Sequence, residues 1–194
     1  MLDLSTVFIT FPVLETERFT LREITLDDAD AIFAMMSDLQ VMQYYGAPMR
    51  SREEAVKRAN SIRAAFQGHN IVYWAITEKA SGNFVGSGGF WRIVKPDFRA
   101  HIGYELAPAW WNRGFMTEAV SAMLKFGFET IGLHSIEAGI HPDNTGSRRV
   151  LEKLGFVREG YFREKYFDTE RNSFIDEAVF SLLHADWEKN SVDS

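Results

Sequence analysis

At 194 residues, 46% of them hydrophobic and 25% charged, the chain is long enough for one sizeable core and too apolar to stay disordered. A formal charge of −6, spread along the chain, disfavours nucleic acid, whose phosphates need clustered Lys and Arg, and makes a cationic substrate easier to accommodate. The absence of cysteine removes disulfides, thiolate metal sites and a cysteine nucleophile together.

The five histidines, His69, His101, His134, His141 and His184, lack ligand spacing, so no metal is expected. No apolar run approaches the roughly 18 to 20 residues that span a bilayer. Asp3 stands where a signal peptide would carry positive charge. These features read as a cytoplasmic protein without a membrane partner. Without repeats or linkers, residues 1–194 read as a single domain with its core over 12–187, and the tail from Lys189 is expected to fray.

In chain order, Arg18 to Glu23 alternates Phe19 and Leu21 with Thr20 and Arg22, the period of a half-buried strand. Thr25 with Asp28 signals a helix start, and Ala29, Ile32, Phe33 and Met36 follow at helical spacing. Ser51 with Glu54 repeats the signature for a helix running to about Gly68. Ile71 to Glu78 and Phe84 to Ile93 flank a turn-like Lys79-Ala80-Ser81-Gly82-Asn83 and predict a hairpin. Ala100 to Leu106 is a strand, followed by Pro108 and a helix from about Arg113 to Thr130. Ser135 to Ile140 is a strand, Asn144 to Leu154 a helix stopped at Gly155, and Phe156 to Tyr166 with Phe174 to Leu183 the closing pair. The order β-α-α-β-β-β-α-β-α-β-β is a mixed α/β (α+β) layer rather than a doubly wound sheet.

Two stretches carry chemistry. Trp110-Trp111-Asn112-Arg113-Gly114-Phe115-Met116-Thr117-Glu118 lies where a strand ends and a helix begins. The first turn of a helix leaves N–H groups unpaired and carries about half a positive charge, so it holds phosphate, and Gly114 permits close approach. A glycine at a helix start is also ordinary turn chemistry. The second stretch, His141-Pro142-Asp143-Asn144-Thr145-Gly146-Ser147 through Leu154-Gly155-Phe156, reads as an Asn-capped helix with Val150, Leu151 and Leu154 facing the core.

Together, in order and spacing, the two stretches resemble the cofactor-binding motifs of the GNAT N-acetyltransferase superfamily. Trp111 to Met116 matches its Gln/Arg-x-x-Gly-x-Gly/Ala motif, with Trp111 in place of the polar first residue and Met116 in place of the small last one. The Trp-x-x-Gly-Phe-x-Thr-Glu-Ala wording, with Leu14-Glu15-Thr16-Glu17-Arg18-Phe19-Thr20-Leu21-Arg22 near the N-terminus, resembles the bacterial ribosomal-protein serine/alanine N-acetyltransferase branch. The resemblance spans about Pro12 to Trp187. It implies a mostly antiparallel central sheet flanked by helices and splayed at its fourth and fifth strands. It also implies acetyl-CoA as cofactor, CoA as product, no metal, and a homodimer as one possible assembly.

By the same resemblance, backbone N–H groups of Arg113, Gly114, Phe115, Met116 and Thr117 cradle the CoA pyrophosphate, and the pantetheine arm lies in the gap as a false extra strand. The N–H of Leu106 becomes the oxyanion donor, Asn144 bonds the cofactor arm, and Ser147 sits near the sulfur. Many members carry an acid tyrosine four residues after Ser147; here the residue is Leu151, so the acid role passes to Ser147. The alternative for Ser147 is a first-turn residue bonding local backbone. Glu105 is the candidate base, through water, against the alternative of a strand carboxylate on the solvent face. At pH 7, losing a proton costs roughly 1 kcal/mol for a protein α-amine and nearly 5 for a lysine, so a weak base suffices for an N-terminus.

Tyr44, Tyr45, Phe90, Trp91, Tyr161 and Tyr166 fall where this fold builds its acceptor pocket, although most read as packing, and Trp110 and Trp111 read as a hydrophobic entry to the helix. The expected reaction is direct attack by a primary amine in a ternary complex. The acceptor is a protein N-terminus, with a polyamine, amino sugar or amino-acid antibiotic as the alternative. A non-catalytic acyl-CoA sensor and a nucleotide-binding module are the readings from other classes.

Overall fold

The computed structural model describes Leu2, Leu4 and residues 7–192, so Asp3 lies outside the described residues. Eight strands form one sheet in the order β1-β2-β3-β4-β5-β6-β8-β7. The strands are β1 (Leu14–Glu15), β2 (Phe19–Glu23), β3 (Val72–Glu78), β4 (Phe84–Val94), β5 (Arg99–Leu106), β6 (Ser135–Ile140), β7 (Val157–Asp168) and β8 (Ser173–Leu183). The helices are α1 (Ala29–Met36), α2 (Leu39–Met42), α3 (Arg52–Gln67), α4 (Phe115–Lys125), α5 (Thr145–Lys153) and α6 (His184–Val192). All neighbouring strands run antiparallel except β5 and β6. The expected mixed α/β architecture is therefore the observed one.

The helices cover the sheet in two layers, and the alternation along β3 shows why. Val72, Trp74 and Ile76 enter the larger core with Met123 and Leu124 of α4. Tyr73 and Ala75 point the other way, into a cluster with Ile32 and Met36 of α1 and Ala55 and Ala59 of α3. Trp74 is fully buried, set edge-on to Phe90 and Phe126, with its indole N–H donated to the Pro12 carbonyl at 2.7 Å.

α6 runs from His184 to Val192, with His184 stacked on Phe128 and Trp187 against both rings; the end of the tail expected to fray lies outside the described residues. Two expectations are corrected. The helix after Gly114 is not uniform, continuing from α4 as a π-helical turn over Phe126–Ile131. Ser51 supplies no side-chain cap to α3; Glu54 instead accepts the N–H of Arg50 at 2.9 Å. Patterning also missed β1 and α2, whose two and four residues are too short to show a period.

At the entry to α1, Asp28 accepts from the Thr25 N–H at 2.8 Å and from both Arg22 terminal nitrogens, at 2.8 and 2.6 Å. Burial works to raise the Asp28 pKa, but the hydrogen bonds from Arg22 and Thr25 outweigh it and hold the carboxyl below its ordinary value. A depressed carboxylate stabilises the fold above its unfolded pKa, and that contribution disappears as pH falls through the folded value. Urea midpoints of Asp28→Asn and the parent are therefore expected to differ at neutral pH and to converge as the pH drops below about 4. At Gly89 a Cβ would collide with the Val72 carbonyl oxygen and lie 2.6 Å from the Tyr73 Cα, so β3 would have to move. Gly89→Ala is expected to cost about 1–3 kcal/mol in the same unfolding measurement.

Candidate active site

The sheet opens between β5 and β6. They pair only from Arg99 to His101 against Ser135 to Glu137, after which β5 continues to Leu106 without a neighbour on that side. Ala107 donates its N–H to the Val85 carbonyl at 2.9 Å, on the β4 side. Successive residues of a strand turn their amides to opposite edges, so the N–H and C=O of Leu106 and Tyr104 face the gap. Two side chains reach in to satisfy the carbonyls: Tyr45 donates its hydroxyl to Tyr104 at 2.6 Å, and Trp111 its indole N–H to Leu106 at 2.7 Å. Trp111 is thus more than a hydrophobic entry to the helix.

A cleft of about 510 Å³ starts at this gap, within the usual size of small-molecule sites. Its lining brings together Glu105, Leu106, Gly114, Phe115, Met116, Thr117, Asn144 and Ser147, all singled out from sequence; Arg113 stands beside it. Asn112 and Gly114 both adopt left-handed backbone, with φ of 58° and 75°, and Gly114 caps α4 without a side chain. The N–H groups of Phe115, Met116 and Thr117 therefore begin α4 with no intrahelical acceptor, an arrangement suited to an anion.

The local charge agrees. Glu118, in the first turn of α4, is occupied by the Arg18 N–H at 2.8 Å and Nε at 2.6 Å. The guanidinium carbons of Arg18 and Arg113 lie 4.4 and 4.6 Å from the Phe115 ring centroid, leaving positive charge at the helix start. These residues fit a diphosphate.

Asn144 caps α5 by accepting the Ser147 N–H on Oδ1 at 3.0 Å, which leaves its amide N–H₂ to donate. The Ser147 hydroxyl does not bond local backbone; it meets the Tyr104 hydroxyl at 3.0 Å. Leu151 is fully buried in the core.

Glu105 is not a solvent-face carboxylate: its side chain is 3% exposed. Oε1 accepts from Arg58 and from Ser87 at 2.9 Å, and Oε2 from Tyr73 at 2.5 Å. Burial and the neighbouring carboxylate push the Tyr73 phenol well above its ordinary pKa, so it remains a donor. Burial opposes the Arg58 charge, but Glu105 outweighs it and keeps the guanidinium protonated.

The family described as "Acetyltransferase (GNAT) domain" matches residues 18–157. The chain belongs to this family. The protein named "uncharacterized N-acetyltransferase YoaA" of Bacillus subtilis (strain 168) is 37% identical over 174 residues, 89% of this chain and 97% of that protein. A crystal structure of a GNAT-family acetyltransferase from Bacillus anthracis, 29% identical, superimposes with a TM-score of 0.81 and covers 90% of this chain and 99% of that one. The "[Ribosomal protein uS5]-alanine N-acetyltransferase" of Escherichia coli (strain K12) is 28% identical over 131 residues, 67% of this chain and 66% of that protein. The GNAT chain is accordingly an acetyl-CoA-dependent N-acetyltransferase, and the sensor and nucleotide-module readings give way.

On the other side of Tyr44 and Tyr45, a second cavity of about 410 Å³ is lined by Tyr166, Asp168, Glu170, Arg171, Asp176 and Glu177, with Asp168 paired to Arg171, Glu170 to Arg50 and Glu177 to Lys165. The other candidate aromatics separate: Phe90 is core, Trp91 is exposed at the β4 bulge, and the Tyr161 hydroxyl is bound by Asp176. Among the described residues no helix is long and apolar enough to cross a membrane. Sequence reasoning missed Arg58, Tyr73 and Ser87 around Glu105, because the contacts span 47, 32 and 18 residues. Only the strand alternation of Tyr73 hinted that it faces the helical layer holding Arg58.

Arg58→Met is expected to strand the Glu105 charge and cost about 3–5 kcal/mol in denaturant unfolding. Adding Glu105→Gln, which removes that charge, is expected to restore part of the loss.

Proposed function

We propose that this GNAT enzyme acetylates the N-terminal α-amine of a protein, by direct attack in a ternary complex with acetyl-CoA. The observation carrying the reading is that the gap-facing N–H of Leu106, the amide-rich start of α4 and the start of α5 all open on one cleft. In this reading the N–H groups of Arg113, Gly114, Phe115, Met116 and Thr117 hold the diphosphate, and the Asn144 amide steadies the pantetheine arm. The thioester supplies an activated acetyl group. Leu106 donates its N–H to the carbonyl oxygen as charge develops there, a contribution of about 10² to 10³ in rate for such donors.

Glu105 serves as base through water, since both of its oxygens already accept hydrogen bonds. Ser147 returns a proton to the departing thiolate. The new C–N bond forms as the C–S bond breaks, and the amine's proton passes through that water to Glu105 and on to solvent.

The ribosomal-protein relative supports a protein N-terminus as acceptor. The cavity beside the cleft, where four carboxylates stand with Arg171, is the observation behind a small polyamine as the second reading. The two differ in the proton that must be lost before attack. For an α-amine, kcat/KM should rise with pH and level near pH 8, whereas for a lysine-like amine it should still climb past about pH 9. Thiol release from acetyl-CoA should be measured with Ser- and Ala-initiated peptides, the same peptides N-terminally blocked, and spermidine. Turnover confined to the free peptides, with the plateau near 8, is the expected result; faster turnover of spermidine would move the acceptor to small amines.

A further inference from the structure

The Tyr104 hydroxyl has no place in the scheme above, yet it is the partner of Ser147. It is buried on β5, enclosed between the sheet and α5, and lies 3.0 Å from Ser147 Oγ and 3.4 Å from the Ser147 carbonyl oxygen. Hydroxyl-to-oxygen bonds cluster near 2.7–2.8 Å, so the contact with Oγ is the one that carries a bond, and the carbonyl contact is weak. Burial drives the phenol far above the ordinary tyrosine range, so Tyr104 keeps its proton at any working pH.

Each hydroxyl owns one proton. If Ser147 donates to Tyr104, the phenol proton is left with only the 3.4 Å carbonyl, and the serine has nothing to offer the cleft. If Tyr104 donates to Ser147, the better bond is made and the serine proton is free to point into the cleft that both residues line. The partner of Ser147 Oγ is the Tyr104 hydroxyl at 3.0 Å, and the Ser147 N–H is committed to Asn144 Oδ1.

We infer that Tyr104 is a positioning residue for acetyl transfer: by donating to Ser147 Oγ it turns the serine proton toward the leaving sulfur and strengthens the serine as a donor. This rests on the reading of Ser147 as the group beside the sulfur. When the C–S bond breaks, its electron pair stays on sulfur. Sulfur takes the Ser147 proton while Tyr104, keeping its own, stays hydrogen-bonded to Oγ; the serine is reprotonated from cleft water, which carries the proton lost by the amine.

The test combines kinetics with a binding readout. Tyr104→Phe keeps the ring and is expected to lower kcat about tenfold, the scale of one lost hydrogen bond, with the KM for acetyl-CoA unchanged. In a Ser147→Ala background the same substitution should have no further effect. Independently of turnover, the thiol of CoA bound to the parent enzyme, followed by its thiolate absorbance, should titrate at lower pH than when bound to Tyr104→Phe. If Tyr104→Phe does not fold, 3-fluorotyrosine at position 104, a more acidic donor, should lower the bound thiol's titration point further. Parent-like kcat and thiol titration in Tyr104→Phe, or an unmoved titration with fluorotyrosine, overturn the inference and leave Ser147 as the acid. Parent-like kcat in Ser147→Ala overturns the Ser147 reading and this inference with it.

Discussion

Backbone polar groups in a folded interior must be paired, and the site is built around a place where the sheet cannot pair them. β5 and β6 hold together for three residues and then part. They are also the sheet's one parallel pair, joined through α4, and such a crossover packs its helix so that both strands run the same way. The chain leaving each strand must then turn into a helix at the same end of the sheet. α4 follows β5 and α5 follows β6, so both helix N-termini open on the mouth of the gap. Phosphate affinity and unpaired strand edge therefore arrive together as consequences of one topological choice. Tyr45 and Trp111 satisfy the carbonyls of Tyr104 and Leu106 that face the gap.

The same strand carries a second constraint, a carboxylate buried on the α3 side. Removing Glu105 from water is costly, and only the combination of Arg58, Tyr73 and Ser87 makes it tolerable. Replacing the whole set with apolar side chains is the cheaper route to stability in general, so the network is poorly explained as a stabilising device. It also ties α3 to β5 and so fixes the wall of the cleft at the residue preceding the Leu106 amide.

Much of this was legible from the sequence because local rules coincide with the global fold. The strand from Ser135 to Ile140, the glycine stops at Gly68 and Gly155, and the hairpin around Gly82 depend on neighbours within a few residues, and the structure agrees with each. The seating of α6 was not legible, because it rests on rings of Phe128, His184 and Trp187, a contact that helix propensity cannot report. The cleft residues around Gly114 and Asn144 were found because a helix start announces itself in turn residues. The partners of Glu105 and Ser147 were not, because a strand residue shows its face in the pattern but not the distant side chain that meets it.

That alternation organises the chemistry. Tyr104 and Glu105 are consecutive, so their side chains point to opposite faces of the sheet: the phenol to α5 and Ser147, the carboxylate to α3 and Arg58. Leu106, next in line, offers its amide between them at the gap edge. A reaction that takes a proton from an amine and gives one to a thiolate needs a proton acceptor and a proton donor close to one carbon atom yet unable to neutralise each other. Under the proposed roles, neighbouring residues on one strand would meet that requirement, since the sheet itself separates the two hydrogen-bonded networks and the unpaired strand edge runs between them.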